Sequence, residues 1–240
     1  MLLDHAGRAF KVLDEAREAI QRLQGRVAGR VSVGTGATAS IYLLPGLLRR
    51  LRARHPQLEL VIVTGNAGEI ASAVSRGELD VGLVTLPVSV GRSLAVSLFY
   101  VDRLVAIAPP GRQWRRRTPM TAAELSREPV ILYERGGTIR RVVDDWFRRG
   151  RATPRVAMEL GNAEATKKLV GAGLGLSVVS EVAAKAEARA GALNLIPLRP
   201  ALYRRIGIVR RRDRAPRPAL LAFMTALENA AKRVRGGANP

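Results

Sequence analysis

Apolar and polar positions follow two periods along this chain, and each change of period marks an element. Between residues 2 and 24, Leu3, Ala6, Phe10, Leu13, Ile20 and Leu23 recur at three- and four-residue spacing, with Arg17 interrupting the stripe. That predicts one helix with a narrow seam, suited to pairing with a copy of itself; packing on its own domain would need the same spacing. Gly25 and Gly29 break it. "RVSVGT" then reads as a strand. "LLPGLLRRLRARHP" reads as a helix, with Leu44, Leu47, Leu48 and Leu51 on one face and Arg49, Arg50, Arg52 and Arg54 elsewhere. "LELVIVTG" is a strand, "AGEIASAVSRGE" a helix and "LDVGLVT" a strand. This alternation predicts a parallel sheet with right-handed crossovers.

"LAVSLFYVDRLVAIAP" is expected to form two short strands, and "PGRQWRRRTPM" a linker. The rhythm then restarts. "PVILYE", "PRVAMELG" and "GLSVVS" are strands. They alternate with helices in "TIRRVVDDWFRRG", "NAEATKKLVGAG" and "EVAAKAEARAG". In the first of these helices Ile139, Val142, Val143 and Trp146 share a face. "ALYRRIGIVRR" is a further strand, and "PALLAFMTALENAAKRV" a last helix that aligns Leu220, Phe223, Met224, Leu227 and Val234. The result is two α/β units of similar build. A strand near Leu104 to Ala108 leads from the first to the second, and one near Ile206 to Val209 leads back. Two crossings make a hinge and leave a cleft, with ligands expected beyond the carboxyl ends of the strands.

Composition changes this picture little. A chain of 240 residues with 47% apolar content can bury one large core or two smaller ones. There is no cysteine, so neither a disulfide framework nor a thiolate metal site exists. No secretory signal is visible, and no run reaches the roughly 18 to 20 apolar residues that span a bilayer. A soluble cytoplasmic protein without membrane contact is therefore expected, unless a leader has been removed. The net charge of +20 points to anionic partners, nucleic acid first. The arginines are dispersed, however, as GC-rich coding would produce, and the same field attracts small anions.

Candidate chemistry gathers where strands meet helices. "GTGATA", residues 34 to 39, fits the dinucleotide fingerprint, but that reading needs an acid at the end of the second strand. That strand ends in Thr64, Gly65 and Asn66, with Glu59 at its start, which argues against a nucleotide. The alternative is an anion at a helix N-terminus, with hydroxyls of Thr35, Thr38 or Ser40 as extra donors. A third reading is that Thr38 or Ser40 simply caps the helix. The pattern recurs at Thr85, at Thr138 and at Asn162, each at a strand end or the next helix start. Catalysis lacks parts. His5 and His55 stand alone, no G-x-S-x-G elbow is present, and "GAGLGLS" lacks the lysine of a phosphate loop. Asp144 and Asp145 are adjacent on a helix and diverge, so no metal site is expected. No enzyme and no cofactor are expected.

"RVSVGTGATASIYLLPGLLRRLRARHPQLEL", then "GELDVGLVT", then "GLGLSVVSE" resemble, in order and spacing, the effector-binding region of LysR-type transcriptional regulators. The resemblance covers nearly the whole chain. It implies an α/β fold of two Rossmann-like subdomains joined by two crossover strands, like the type II periplasmic binding proteins and preceded by one linker helix. The implied division is a linker and dimerisation helix at 1–27, subdomain I at 28–108 and 206–235, and subdomain II at 109–205. Carried over by position, Gly36, Thr38, Thr85, Thr138, Asn162 and Ala163 would contact a small anionic effector, with Ser40 beside them. Gly36 has no side chain where some relatives place a hydroxyl. A homodimer or homotetramer is implied, with DNA reached only through an N-terminal winged helix-turn-helix. Met1 falls within the linker, so the chain is expected to be a shortened form or a natural one without that module. The alternative is a two-lobed solute-binding receptor of a transporter, which a leader upstream of Met1 would favour and the linker-like first helix opposes.

Overall fold

The computed structural model describes residues 27–89, 91–115 and 118–236. The helix expected at 2–24 lies outside them. The first unit begins with β1 (Gly29–Thr35), a π-type turn at Ala39–Leu43 and α1 (Leu44–Arg54). β2 (Leu58–Thr64), α2 (Ala67–Arg76), β3 (Val81–Leu86) and β4 (Leu94–Ala108) follow. Next come the short β5 (Met120–Thr121) and α3 (Ala122–Leu125). The second unit runs through β6 (Pro129–Tyr133), α4 (Thr138–Arg149), β7 (Arg155–Leu160), α5 (Ala163–Gly171), β8 (Leu176–Ser180) and α6 (Glu181–Arg189). β9 (Asn194–Ile196), β10 (Leu198–Arg199), β11 (Leu202–Arg211) and α7 (Pro218–Gly236) complete the described chain.

One sheet carries both units, in the order β2-β1-β3-β11-β4-β8-β6-β7, with β9 added to β4. β1 pairs parallel with β2 and β3, and β6 pairs parallel with β7 and β8. The two parallel blocks are the two α/β repeats read from the sequence. Between them lie β4 and β11, antiparallel to each other along the length of β11.

β4 corrects one expectation. The segment read as two short strands is a single strand of 15 residues. Its first part pairs with β11 alone, while Leu104–Ile107 also pairs antiparallel with β8. The polar pair Asp102–Arg103 interrupts the apolar pattern without breaking the strand, because Asp102 is buried against a partner on β11. The expected linker likewise carries structure. It contains a 3-10 turn at Arg112–Trp114, and it ends in β5, where Met120 is buried in the second core.

Each unit buries apolar residues on both faces of its block. In the first, Leu44, Leu47 and Leu51 of α1 meet Phe223 and Leu227 of α7 over Val31 and Val33. Ile70 and Val74 of α2 cover the other face. The return of α7 to the first unit is also polar: Arg217 bonds Asp80 at 2.9 Å, and Asp80 accepts from Ser32 Oγ at 2.8 Å. In the second unit Trp146 and Phe147 of α4 pack on one face with Leu132 and Val178. Val170 and Ala184 lie on the other with Ile131 and Val179.

Local chemistry sets the helix ends near the cleft. Asn66 caps α2 by accepting from Glu69 N at 2.9 Å, and Glu69 accepts from Asn66 N at 3.1 Å, a reciprocal capping box. Gly77, at φ 76°, ends the same helix in the left-handed region. α2 sits close to the sheet because β1 and β3 offer Gly34 and Gly82. A Cβ at either would come within 2.7 Å of Ile70 Cγ2.

Candidate functional site

The carboxyl ends of the parallel strands in both units open on one cleft of about 690 Å³. The segment after β1, the turn after β2 and the end of β3 line one side. The segments after β6 and β7 line the other, and β11 contributes Arg204 and Ile206.

Five of the seven candidate residues lie on this lining: Gly36, Thr38, Thr85, Thr138 and Ala163. An added Cβ at Gly36 would meet nothing within 4 Å. Thr38 has right-handed helical geometry at the start of the π-type turn, and no side chain caps that turn or α1. The capping reading of Thr38 and Ser40 is therefore set aside. Pro45 occupies the first turn of α1, where its missing N–H costs nothing. Thr138 opens α4, and its Oγ1 accepts from Arg141 at 3.3 Å. Ser40 and Asn162 are not on the lining. Ser40 Oγ turns back to donate to Ala37 O at 2.8 Å. Asn162 Oδ1 caps α5 by accepting from Glu164 N at 2.7 Å.

The cleft is also lined by residues that local reading did not single out. Asn66 lines it while capping α2. Tyr133, at the end of β6, and Arg204, on β11, line it as well. A signal for Arg204 was present: in "LYRRIG" it shares the inward period with Leu202 and Ile206, so an arginine occupies a core-facing position. Tyr133 ends an apolar strand and offers no comparable signal.

Arg204 is only 5% exposed. Its Nε donates to Asp102 Oδ2 at 2.6 Å, and Ser180 Oγ donates to Asp102 Oδ1 at 2.8 Å. Asp102 and Arg204 are register partners on the two crossover strands, and Ser180 ends β8, so three strands meet in one buried group. Two donors nearby have no partner in the described residues: Arg204 Nη2 and the Tyr133 hydroxyl. Burial pushes the Tyr133 phenol up to about 12, with the positive charge of Arg204 working against that rise. The backbone of Tyr133 is held by Arg140, whose Nη1 donates to Tyr133 O at 2.5 Å and to Glu159 at 3.0 Å. Hydrogen bonds from Arg140 and Arg135 keep the Glu159 carboxyl below its usual range.

A second polar group spans the units beside the cleft. Lys167 of α5 donates to the phenolic oxygen of Tyr42 at 2.7 Å, to Ala183 O at 2.7 Å and to Glu187 Oε1 at 2.5 Å. Tyr42 also bonds Glu164, which pairs with Lys167 at 3.0 Å.

Chemically the cleft offers hydrogen-bond donors rather than a catalytic or metal-ligating group among the described residues. Hydroxyls, helix starts and buried donors face one gap. Asp144 and Asp145 turn apart, pairing with Arg140 and Arg148 respectively. Among the described residues no group of three His, Asp or Glu could hold a metal ion, and no helix is long and apolar enough to cross a membrane.

Residues 24–232 match the LysR substrate binding domain. The chain is 32% identical to the HTH-type transcriptional regulator CbbR of Xanthobacter flavus over 230 residues, 95% of this chain and 68% of that protein. It is 32% identical to the uncharacterized HTH-type regulator YeiE of Escherichia coli K12 over 219 residues, 90% of this chain and 73% of the relative. The chain spans 60 to 73% of the length of the curated relatives it matches. In fold it superposes on the regulatory domain of Synechocystis PCC6803 CcmR, solved with 2-PG. The TM-score is 0.77 at 24% identity, over 85% of this chain and 97% of that one. It also superposes on the effector-binding domain of QuiR, solved with shikimate. There the TM-score is 0.75 at 14% identity, over 86% and 99% of the two chains. With that match over residues 24–232, most of its length, the chain belongs to the LysR substrate-binding domain family.

Proposed function

We propose that this chain senses a small anionic metabolite, bound between two lobes formed by residues 28–108 with 206–235 and by residues 109–205. The observation that carries this reading is the convergence of Thr38 and Thr85 from one unit and Thr138 from the other on a single cleft. Charge supports an anion. Arg135, Arg141 and Arg204 line the cleft with Glu134; Arg204 is paired with Asp102 and Arg135 with Glu159, which leaves Arg141 and a chain-wide net charge of +20 to favour an anion. The 2-PG and shikimate complexes of fold neighbours are consistent with such a ligand. Gly36, Thr38, Thr85, Thr138 and Ala163 are its contacts, and Ser40 and Asn162 shape the turns that present them.

The effector favours one arrangement of the lobes over another, and only that difference in affinity shifts the population. In the whole protein the shift changes the geometry of a homodimer or homotetramer, and with it the contacts a winged helix-turn-helix makes on DNA. Membership of the family favours this over a transporter's solute receptor. Titration calorimetry with anionic metabolites, 2-PG and shikimate included, tests it. Thr138→Val is expected to weaken the ligand by about 1.5–3 kcal/mol, roughly ten- to a hundredfold, when a charged group uses that hydroxyl. Unchanged affinity removes Thr138 from the site. A broad panel that produces no binding heat removes the reading.

A further inference from the structure

We infer that Arg204 Nη2 and the Tyr133 hydroxyl form an oxyanion subsite at the floor of the cleft, taking a carboxylate or phosphate oxygen of the effector. The inference rests on the ligand-binding reading above and adds the chemical group that is recognised and the residues that recognise it.

Four observations converge. Both side chains line the cleft, from different elements, β6 and β11. Both atoms are buried and have no partner among the described residues, although buried polar groups in folded proteins are nearly always satisfied. Both are donors. A guanidinium cannot deprotonate, and the Tyr133 phenol, raised to about 12 first by its burial, keeps its proton. Finally, Arg204 already holds its ion-pair partner through a different atom. Asp102 takes Arg204 Nε on one oxygen and Ser180 on the other.

Arg204 Nη2 can only donate and the Tyr133 hydroxyl has a proton to give, so together they favour a group that offers several acceptor lone pairs. An ionised carboxylate or a phosphate oxygen does so. An ammonium group does not, and an alcohol, although it could donate to the Tyr133 oxygen, brings no charge to match the guanidinium. The guanidinium also carries the consequence of binding. Nε faces Asp102 on β4 while Nη2 faces the ligand, so one rigid plane links the effector to the two crossover strands and, through Ser180, to β8. The bound anion therefore holds the strands about which the lobes would turn.

Tyr133→Phe is the cleaner variant, because it removes only an unpartnered buried hydroxyl. Its ligand-free melting temperature should equal or exceed that of the wild type, while affinity for the anion falls about tenfold, the worth of one hydrogen bond to a charged group. Arg204→Lys keeps a charge for Asp102 but removes Nη2, and should lose more. The probes are acetate, inorganic phosphate and neutral acetamide at constant ionic strength, followed by NMR at the Arg204 Nε–Hε resonance and at the Thr38 and Thr138 amides. A shift at Arg204 with acetate or phosphate, absent with acetamide and weakened in Tyr133→Phe, is expected; which anion acts at lower concentration names the group. Shifts at Thr38 and Thr138 without one at Arg204, and with Tyr133→Phe binding as wild type, overturn the subsite and leave the cleft reading standing. Equal response to acetamide overturns the anion class. Silence at all three positions with every anion, metabolites included, overturns the cleft reading itself.

Discussion

Lys167 Nζ donates to the phenolic oxygen of Tyr42 at 2.7 Å and thereby joins the second unit of the sheet to the first. The ammonium also lies 5.1 Å from the centre of the Tyr42 ring, so the contact is both a hydrogen bond and a cation–π pair. Tyr42 belongs to the same π-type turn that opens just after Thr38, and Lys167 to the helix that starts at Ala163. The two sides of the cleft are tied by the elements that line it.

Tyr42→Phe removes the oxygen but keeps the ring. Lys167 would remain bonded to Ala183 and Glu187, so the change should cost about 1–3 kcal/mol, the range for a bond to a charged group left partly unmet. For a chain of this size that lowers the melting temperature by about 2–4 °C per kcal/mol. Calorimetry measures the loss, and small-angle scattering reports whether the lobes spread. A variant that melts and scatters like the wild type would show that the contact contributes nothing to closure.

The same cluster sets a pH dependence at both extremes. Burial works against the Lys167 charge, but hydrogen bonds with Glu187, Tyr42 and Glu164 outweigh it and raise the pKa above its usual 10.5. That stabilisation is complete below about pH 10.5 and is lost as pH rises through the elevated value. For Glu187 burial raises the pKa, but the Lys167 hydrogen bond prevails and lowers it below 4.5. Its contribution is present above about pH 4.5 and fades as pH falls through the lowered value. Urea midpoints measured from about pH 6 to about pH 3 should fall less steeply in Glu187→Gln than in the wild type. Parallel acid limbs would assign the acid loss to other carboxylates.

Asp102→Ala and Ser180→Ala should separate sharply. The first leaves the Arg204 guanidinium buried without its carboxylate, a loss of about 3–5 kcal/mol. The second removes one neutral donor while the ion pair survives, at about 1 kcal/mol. Urea unfolding ranks them. Equal effects would mean that the carboxylate gains nothing from the arginine beyond what a hydroxyl supplies.

Three glycines should behave differently on conversion to alanine. At Gly34 the new methyl would lie 2.6 Å from Leu79 Cδ1, and at Gly82 2.7 Å from Ile70 Cγ2, so the Leu79 and Ile70 side chains must give way in a packed core. Each should cost about 1–3 kcal/mol. Gly36→Ala meets nothing and should leave stability within about 0.5 kcal/mol, although its methyl projects beside the cleft. Denaturation midpoints check all three, and a Gly82→Ala protein as stable as the wild type would contradict the close packing described.

Much of this protein was legible one segment at a time. Period decided the strands and helices of both repeats, because alternation and three-to-four spacing report which face of a segment must leave water. The polar residues at strand ends marked the loops that form the cleft, and the ordered motifs pointed to the LysR family. The capping box of Asn66 and Glu69 is plain only from its reciprocal bonds, and the alternative in which Ser40 caps a helix fails because its hydroxyl turns back to Ala37.

Other features depended on partners far away in sequence. "LAVSLFYVDRLVAIAP" reads as two short strands, and it has the polar pair Asp102–Arg103 at its middle. It is one strand because Arg204, 102 positions later, neutralises Asp102 inside the sheet. Lys167 looks like a surface charge on a helix until Tyr42, 125 positions earlier, folds against it. Period says that a face is buried but not against what. The burial of a charge, and the orphaning of Arg204 Nη2 and the Tyr133 hydroxyl beside the cleft, are decided only when strands from both ends of the chain come together.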